Sequence, residues 1–137
     1  MFGISRIRGG IEAGKVVAAT TPAAVSAGAR NGNAIDRRGY HSIALGLVLG
    51  AETGSPSART VSVVLETSAD GSTGWTAFNS SGAQLGATLS QTGVLSNFDL
   101  EGALDYVRVV ETLAFTGGSA PTRVVSTIGV LSGPNRP

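Results

Sequence analysis

Residues 42–49 read Ser-Ile-Ala-Leu-Gly-Leu-Val-Leu, and this stretch decides the class of fold. Every second side chain is a large aliphatic one, and the side chains between them are mostly small. The two sets are Ile43, Leu45, Leu47 and Leu49 on one side and Ser42, Ala44 and Gly46 on the other. A period of two places the first set on one face of an extended chain. The pattern therefore predicts a β-strand with a buried face.

Similar stretches recur along the chain, separated by clusters of Gly, Pro, Ser and Asp. Predicted strands cover residues 15–19, 42–49, 60–67, 75–78, 84–89, 94–100, 106–115 and 123–131. Short strands that recur roughly every ten residues are typical of a sandwich or barrel and not of βαβ units. We predict an all-β fold, a single antiparallel β-sandwich, with a jelly roll as the favoured arrangement.

The composition excludes several classes of protein. The chain has 137 residues, 20 of them Gly, and no Cys, which rules out disulfides and thiolate metal sites. No apolar run has the length of a signal peptide or of a membrane span. We therefore expect one soluble domain that is made without secretion and has no membrane partner.

Positive charge is concentrated near the N-terminus. Residues 1–38 carry a net charge of +4 and residues 39–137 a net charge of −3. The basic residues are Arg6, Arg8, Lys15, Arg30, Arg37 and Arg38. Glycines interrupt residues 1–33, which contain few large apolar side chains, so we predict an extended N-terminal arm there and a β-sandwich domain over residues 34–137. No aromatic residues lie between these cations, which argues against direct binding of nucleic acid.

Residues that could form a catalytic or metal site are scarce. His41 is the single histidine and begins an apolar strand, and no Ser lies in a Gly-x-Ser-x-Gly turn. Glu66 and Glu111 could face each other as a carboxylate pair, but the favoured explanation for Glu111 is a strand end or burial beside an arginine such as Arg108 or Arg123. We predict no enzymatic activity and no catalytic residues.

Two further patterns are candidate ligand sites. Asp99, Glu101 and Asp105 lie close together but lack the spacing of a calcium-binding loop, so we expect no metal and no cofactor. Trp75 is the single tryptophan, and it could stack against a sugar ring. A lone Trp after a turn is more often a core residue, and we predict that role for Trp75.

Two segments resemble known families. Residues 65–76 read Leu-Glu-Thr-Ser-Ala-Asp-Gly-Ser-Thr-Gly-Trp-Thr, and residues 106–110 read Tyr-Val-Arg-Val-Val. A strand ending in Ser-x-Asp-Gly, then a Trp and later Tyr-Val-Arg-Val, resembles discoidin-type carbohydrate-binding jelly rolls. With Asp36-Arg37-Arg38-Gly39-Tyr40 ahead of the strand at 41–49, the order over residues 34–131 is more similar to head decoration, or cement, proteins of tailed bacteriophages.

The departures from this pattern concern the turn before the tryptophan. Ala69 stands where a second acid is common, and Gly74 lengthens the turn. Both changes weaken an inherited ligand site and leave the predicted fold intact.

The phage resemblance implies a structural virion protein on the exterior of the head, made in the host cytoplasm. It implies binding to the major capsid protein, with the six basic residues named above contacting capsid carboxylates. It also implies self-association, which we predict to be a homotrimer at three-fold junctions, with a dimer at two-folds as the competitor. The alternatives are a carbohydrate-binding module on the virion, with Trp75 as the stacking residue, and a tail or head-completion protein.

Overall fold

The computed structural model describes residues 14–78, 84–87 and 93–134, and these form two antiparallel sheets. The strands are β1 (Lys15–Ala18), β2 (Ala23–Val25), β3 (Gly28–Asn31), β4 (Ile35–Asp36), β5 (Tyr40–Thr53), β6 (Ala58–Ser68), β7 (Thr76–Ala77), β8 (Gln84–Ala87), β9 (Gly93–Asp99), β10 (Tyr106–Thr116) and β11 (Thr122–Pro134). The predicted all-β sandwich is therefore confirmed. Within this part of the chain, no helix is long and apolar enough to span a membrane.

The order of the strands is that of a jelly roll. Sheet A runs β1-β11-β5-β9, with β2 also beside β11, and sheet B runs β3-β10-β6-β7, with β4 beside β10 and β8 beside β6. Neighbouring segments such as β1 and β2 thus act as one interrupted strand. With each interrupted strand counted once, the described residues give eight strands in the orders 1-8-3-6 and 2-7-4-5. This arrangement in two sheets is the jelly roll that the sequence predicts.

The core lies between the long central strands of the two sheets. The alternation in β5 buries Ile43, Leu45, Leu47 and Leu49, and β6 contributes Val61, Val63 and Leu65 from the opposite sheet. Val107, Val109 and Leu113 of β10 complete the sheet B side. Burial of these aliphatic side chains is the main source of stability, at about 1.5–3 kcal/mol for each side chain.

The predicted arm is wrong for the residues that the structure describes. β1 and β2 pair with β11 in sheet A, and β3 pairs with β10 in sheet B, so residues 15–31 belong to both sheets of the domain. Their strands have only three or four residues and cannot form a core alone. The long strands β10 and β11 supply the backbone partners that hold them in place. Residues 1–13, with Arg6 and Arg8, lie outside the described residues.

The turn after β6 falls in one of the Gly-, Ser- and Asp-containing clusters between predicted strands, and it depends on Asp70 and Gly71. The Asp70 carboxylate accepts hydrogen bonds from the backbone N–H groups of Ser72 and Thr73, each at 2.8 Å. Gly71 has a φ of 76°, and a Cβ there would lie 3.0 Å from the ring of Tyr106. The turn therefore needs glycine for its backbone angle and for its close approach to Tyr106.

Candidate interaction surfaces

The outer face of sheet A is apolar. Its large exposed side chains are Val16 on β1, Val48 on β5, and Ile128 and Val130 on β11, with exposed fractions of 72%, 47%, 43% and 37%. Among the described residues, one other large hydrophobic side chain, Leu104, is similarly exposed. We call the outward positions of β1, β5 and β11 the apolar face. Exposed apolar patches of this kind often mark sites of protein association.

Strand register brings these side chains together. Val16 lies opposite Val130, Val130 lies opposite Ala44, and Ile128 lies opposite Gly46. The small residues of β5 thus form a trough alongside the ridge that Ile128 and Val130 form on β11. The sequence contains a signal for this surface, because β11 has apolar residues at both its inward and its outward positions.

The outer face of sheet B carries an ion pair. Arg108 of β10 forms an ion pair with Glu66 of β6, with 2.7 Å between the nearest N and O atoms. The Arg108 guanidinium also lies 4.4 Å from the ring centroid of Trp75. The outer face of sheet B therefore carries charged side chains, which the apolar face lacks.

Trp75 is half-buried and does not belong to the core cluster. The predicted core role of Trp75 is therefore wrong. It follows the turn after β6, and its ring packs against the Arg108 guanidinium on the outer face of sheet B. Since the guanidinium occupies one side of the indole ring, that side is closed to a stacking ligand.

Arg38 and Asp36 form a second ion pair near this face. The Arg38 guanidinium lies 2.7 Å from Oδ2 of Asp36 and 5.5 Å from the ring centroid of Tyr106. The side-chain hydrogen bond from Arg38 lowers the pKa of Asp36 from 3.8 to about 2. Both side chains are exposed, so the pair adds little to stability.

A buried carboxylate joins the two sheets inside the sandwich. Glu111 on β10 is fully buried, and its Oε2 accepts hydrogen bonds from the hydroxyls of Thr20 and Thr127, at 2.7 and 2.5 Å. Its Oε1 accepts from Nε of Arg30 at 2.8 Å. Thr127 belongs to sheet A, whereas Glu111 and Arg30 belong to sheet B. The cluster therefore links the sheets through polar contacts.

The interior position of Arg30 corrects its predicted role at the capsid. Its terminal nitrogens donate to the backbone carbonyls of Thr21 and Val125, at 2.9 and 3.0 Å. The predicted burial of Glu111 beside an arginine is confirmed, but that arginine is Arg30 and neither Arg108 nor Arg123. Because Arg30 lies directly opposite Glu111 in the pairing of β3 with β10, strand register selects it.

A second internal ion pair closes one end of the sandwich. Arg59 of β6 binds Glu52 of β5 through two hydrogen bonds of 2.8 Å, one to each carboxylate oxygen. Arg123 of β11 lies 3.5 Å from the same carboxylate. The hydrogen bond from Arg59 is the main cause that lowers the pKa of Glu52. This pair also crosses from one sheet to the other.

The remaining predicted contact residues differ in how far their side chains are exposed. Lys15 is exposed on the edge strand β1, and Arg38 is exposed beside Asp36. Arg37 donates to the backbone carbonyls of Ala103, Leu104 and Tyr40, so it fastens the segment before β10 and is not free for a partner.

The candidate catalytic and metal-binding carboxylates do not come together in one site. Glu66 faces outward to Arg108 and Glu111 faces inward to Arg30, so they lie on opposite faces of sheet B. Asp99 accepts a hydrogen bond from the backbone N–H of Glu101 at 2.8 Å. Among the described residues, no three His, Asp or Glu side chains gather in a way that could hold a metal ion.

Comparison with solved structures shows the fold in other proteins. The PBSX exported protein XepA is 15% identical and aligns over 90% of this chain and 38% of its own, with a TM-score of 0.52. A chain of the T13 IBDV viral particle is 14% identical over 87% of this chain and 30% of its own, also with a TM-score of 0.52. A chain of the Bacillus endospore appendages, which are disulfide-linked pili, is 13% identical over 89% of this chain and 88% of its own, with a TM-score of 0.50.

These similarities concern the fold. This chain spans about a third of XepA and of the viral chain, and nearly all of the pilus chain. No protein-family model matches the sequence, and no curated protein is significantly similar to it. Solved structures with this fold thus include components of a viral particle and of pili.

Proposed function

We propose that this chain is a structural virion protein that binds the outer surface of a tailed-phage capsid and stabilises it by bridging major capsid subunits. The observation that carries the proposal is the contrast between the two outer faces of a jelly roll. One face is apolar and suited to packing, and the other carries ion pairs such as Arg108–Glu66 that suit contact with water. The occurrence of the same fold in a viral particle and in pili supports a role in assembly.

Contacts with capsid carboxylates come from exposed cations in this proposal. Lys15 and Arg38 are exposed, and Arg6 and Arg8 precede β1 in the chain. Arg30 and Arg37 are left out, because their guanidinium groups already bind internal partners. Copies of the chain associate with one another on the shell, as a trimer at three-fold junctions or as a dimer at two-folds.

The proposal includes no catalytic turnover. Glu66 and Glu111 each have an arginine partner, and they lie on opposite faces of one sheet. Single changes of His41, Glu66 and Glu111 to Gln test this point in any assay that detects turnover. An activity that disappears in one of these variants, with the fold intact, would show that the chain is an enzyme.

Carbohydrate binding has less support. Trp75 is accessible from the outer face of sheet B, but Arg108 lies over its ring. A sugar that stacks on Trp75 would have to use the other side of the ring or displace Arg108 from Glu66.

Binding to purified heads that lack the protein is the direct test. The protein should sediment with the heads until the sites are saturated, and a reconstruction should show a regular array of density on the outer surface. A few copies at one vertex would instead indicate a tail or head-completion protein. No binding to expanded or unexpanded heads would exclude the proposal.

A further inference from the structure

The apolar face lacks charge over the strands that form it. The outward positions of β1, β5 and β11 carry Val, Ile, Ala, Gly and Ser between residues 16–18, 42–50 and 124–132. Asp99, at one corner of β9 opposite Ser42, is the nearest charged residue that register places on this side. A partner that binds through ion pairs would find no charge here to match.

A second copy of the chain matches this surface better than a charged partner does. Two identical uncharged faces can approach without repulsion, and each buries its exposed valines and isoleucine. The exposed cations Lys15 and Arg38 lie off the apolar face. Contact with a charged shell and contact between copies can therefore use different parts of the molecule.

Large and small side chains alternate between the strands of the apolar face, and this shape determines how two copies can pack. Ile128 and Val130 stand on β11, and the adjacent β5 presents Gly46 and Ala44 in register with them. Consider a two-fold axis that lies above the apolar face, midway between β5 and β11 and parallel to both strands. A half-turn about this axis places β11 of each copy over β5 of the other copy. Ile128 then lies over Gly46, and Val130 over Ala44, on both sides of the axis.

We propose that the apolar face of sheet A binds the same face of a second copy, and that the two copies are related by a two-fold axis. The pair resembles two stacked sheets, whose facing side chains interdigitate at a separation of about 10 Å. On the virion, this contact favours a dimer at two-fold positions over a trimer at three-fold junctions. The pairing does not rest on the proposed capsid binding, because it forms between free copies.

The size of the face predicts a weak pair in solution. Three strands about 4.8 Å apart and about seven residues of about 3.3 Å each cover roughly 330 Å². A stable dimer buries about 800 Å² on each partner. The dissociation constant should therefore lie in the micromolar to millimolar range. Copies held side by side on a shell would pair readily, because their effective concentration is millimolar.

Sedimentation equilibrium of the full chain between about 10 μM and 1 mM tests the pairing, since this range covers weak association. The wild-type chain should pass from monomer to dimer. Ile128→Glu places a charge at the centre of the contact and should weaken the dimer at least about tenfold. Leu104→Glu is the matched control, because Leu104 is an exposed apolar residue away from this face, and its dimer should be unchanged.

Two measurements keep the test decisive if Ile128→Glu fails to fold. Val16→Glu changes the edge strand, where the side chain is most exposed, and should also weaken the dimer. The chain has no cysteine, so Ala44→Cys and Val130→Cys copies can be mixed and joined with a short bismaleimide. Crosslinks between these two variants should exceed those between Ala44→Cys and Leu104→Cys copies mixed at the same concentrations.

Several results of these experiments would contradict the proposed pairing. A wild-type chain that stays monomeric over the whole range overturns the pairing, and capsid protein or residues 1–13 would then be the candidates to cover the face. A trimer, or a dimer that is insensitive to both glutamate variants, overturns it as well. Head binding is measured separately, so the pairing can fail while the proposed function stands.

Discussion

Arg30 and Glu111 face each other across adjacent strands, and their closest N and O atoms lie 2.7 Å apart inside the sandwich. The guanidinium also reaches the carbonyl of Val125 in the other sheet. One ion pair thus fastens the N-terminal strand β3, the central strand β10 and the final strand β11. An arginine expected to lie in a loose arm is a half-buried part of the domain.

Glu111→Gln should destabilise the protein by about 3 kcal/mol, because it leaves the Arg30 charge without its counterion in a mostly buried position. Arg30 keeps its two carbonyl partners and is one-fifth exposed. The decrease in the free energy of unfolding should therefore lie at the low end of the range for a broken buried ion pair. Urea unfolding gives the value.

Glu66→Gln is the control for Glu111→Gln, since it breaks the outward ion pair with Arg108 and should cost no more than about 1 kcal/mol. Equal losses in the two variants would mean that the Glu111 cluster does not hold the sheets together.

Trp75→Ala should cost about 1–2 kcal/mol, less than the 3–5 kcal/mol of a buried aromatic, because the ring is half-buried over Arg108. Leu65→Ala, in the core, should cost about 2–5 kcal/mol. Thermal or urea unfolding compares the two. If Trp75→Ala lowers the free energy of unfolding as much as Leu65→Ala does, or more, Trp75 would be a core residue. Glycan binding that disappears in Trp75→Ala would favour the carbohydrate-binding alternative.

Stability should fall as the pH decreases from about 4 to 2, because Asp36 and Asp70 have lowered pKa values in the folded chain. The hydrogen bond from Arg38 lowers the pKa of Asp36 to about 2, and backbone N–H groups of Thr73 and Ser72 lower that of Asp70 further. A lowered folded pKa stabilises the protein above the unfolded pKa, which is near 3.9, and this contribution is lost as the carboxylates are protonated.

The double variant Asp36→Asn/Asp70→Asn should show a shallower loss of stability over the same pH range. Unfolding midpoints at pH 5, 4, 3 and 2 compare it with the wild type. Identical pH profiles for the two proteins would show that these carboxylates do not control the acid response.

Replacing the exposed and N-terminal cations by Gln should weaken binding to phage heads severalfold. The variant changes Arg6, Arg8, Lys15 and Arg38 together. Each exposed ion pair contributes no more than about 1 kcal/mol, so the effect appears as a sum. Raised salt should reproduce part of the loss in the wild-type chain, since salt screens such contacts. Cosedimentation at two salt concentrations measures both effects.

Glu101→Gln removes an exposed acid and is the control for this variant, with head binding equal to or slightly above that of the wild type. If the fourfold variant binds as tightly as the wild type at low salt, the cations do not carry the contact. Uncharged surfaces would then hold the protein to the shell.

The alternation of side chains was readable from the sequence, because period two is a local property of an extended chain. Residues 42–49, 60–67 and 106–115 lie within β5, β6 and β10, and the Asp70-Gly71 turn forms where it was predicted. The sandwich followed from the spacing of such stretches, but its eight strands differ from the eight predicted ones. Residues 75–78 and 84–89 contribute β7 and β8 to one interrupted strand, and the strand formed by β3 and β4 was not predicted.

Of the short strands, β1 lies within the strand predicted at residues 15–19, whereas β2 to β4 were not readable in the same way. They consist largely of Val, Ala and Gly in runs of two to four residues, and they have little apolar surface of their own. They are strands because β10 and β11, about a hundred residues further along, offer them unpaired edges.

The sequence by itself thus determined which side chains point inward on the long strands. For Glu111 it offered two explanations, a strand end or burial beside an arginine. The tertiary structure alone decided that this arginine is Arg30, because strand register joins two residues 81 positions apart. It also decided that Val16, Val48, Ile128 and Val130 share one exposed face, since three strands distant in sequence must lie side by side before their outward residues form a surface. Alternation is set within a few residues, whereas neighbours across a sheet are chosen by the packing of the whole chain.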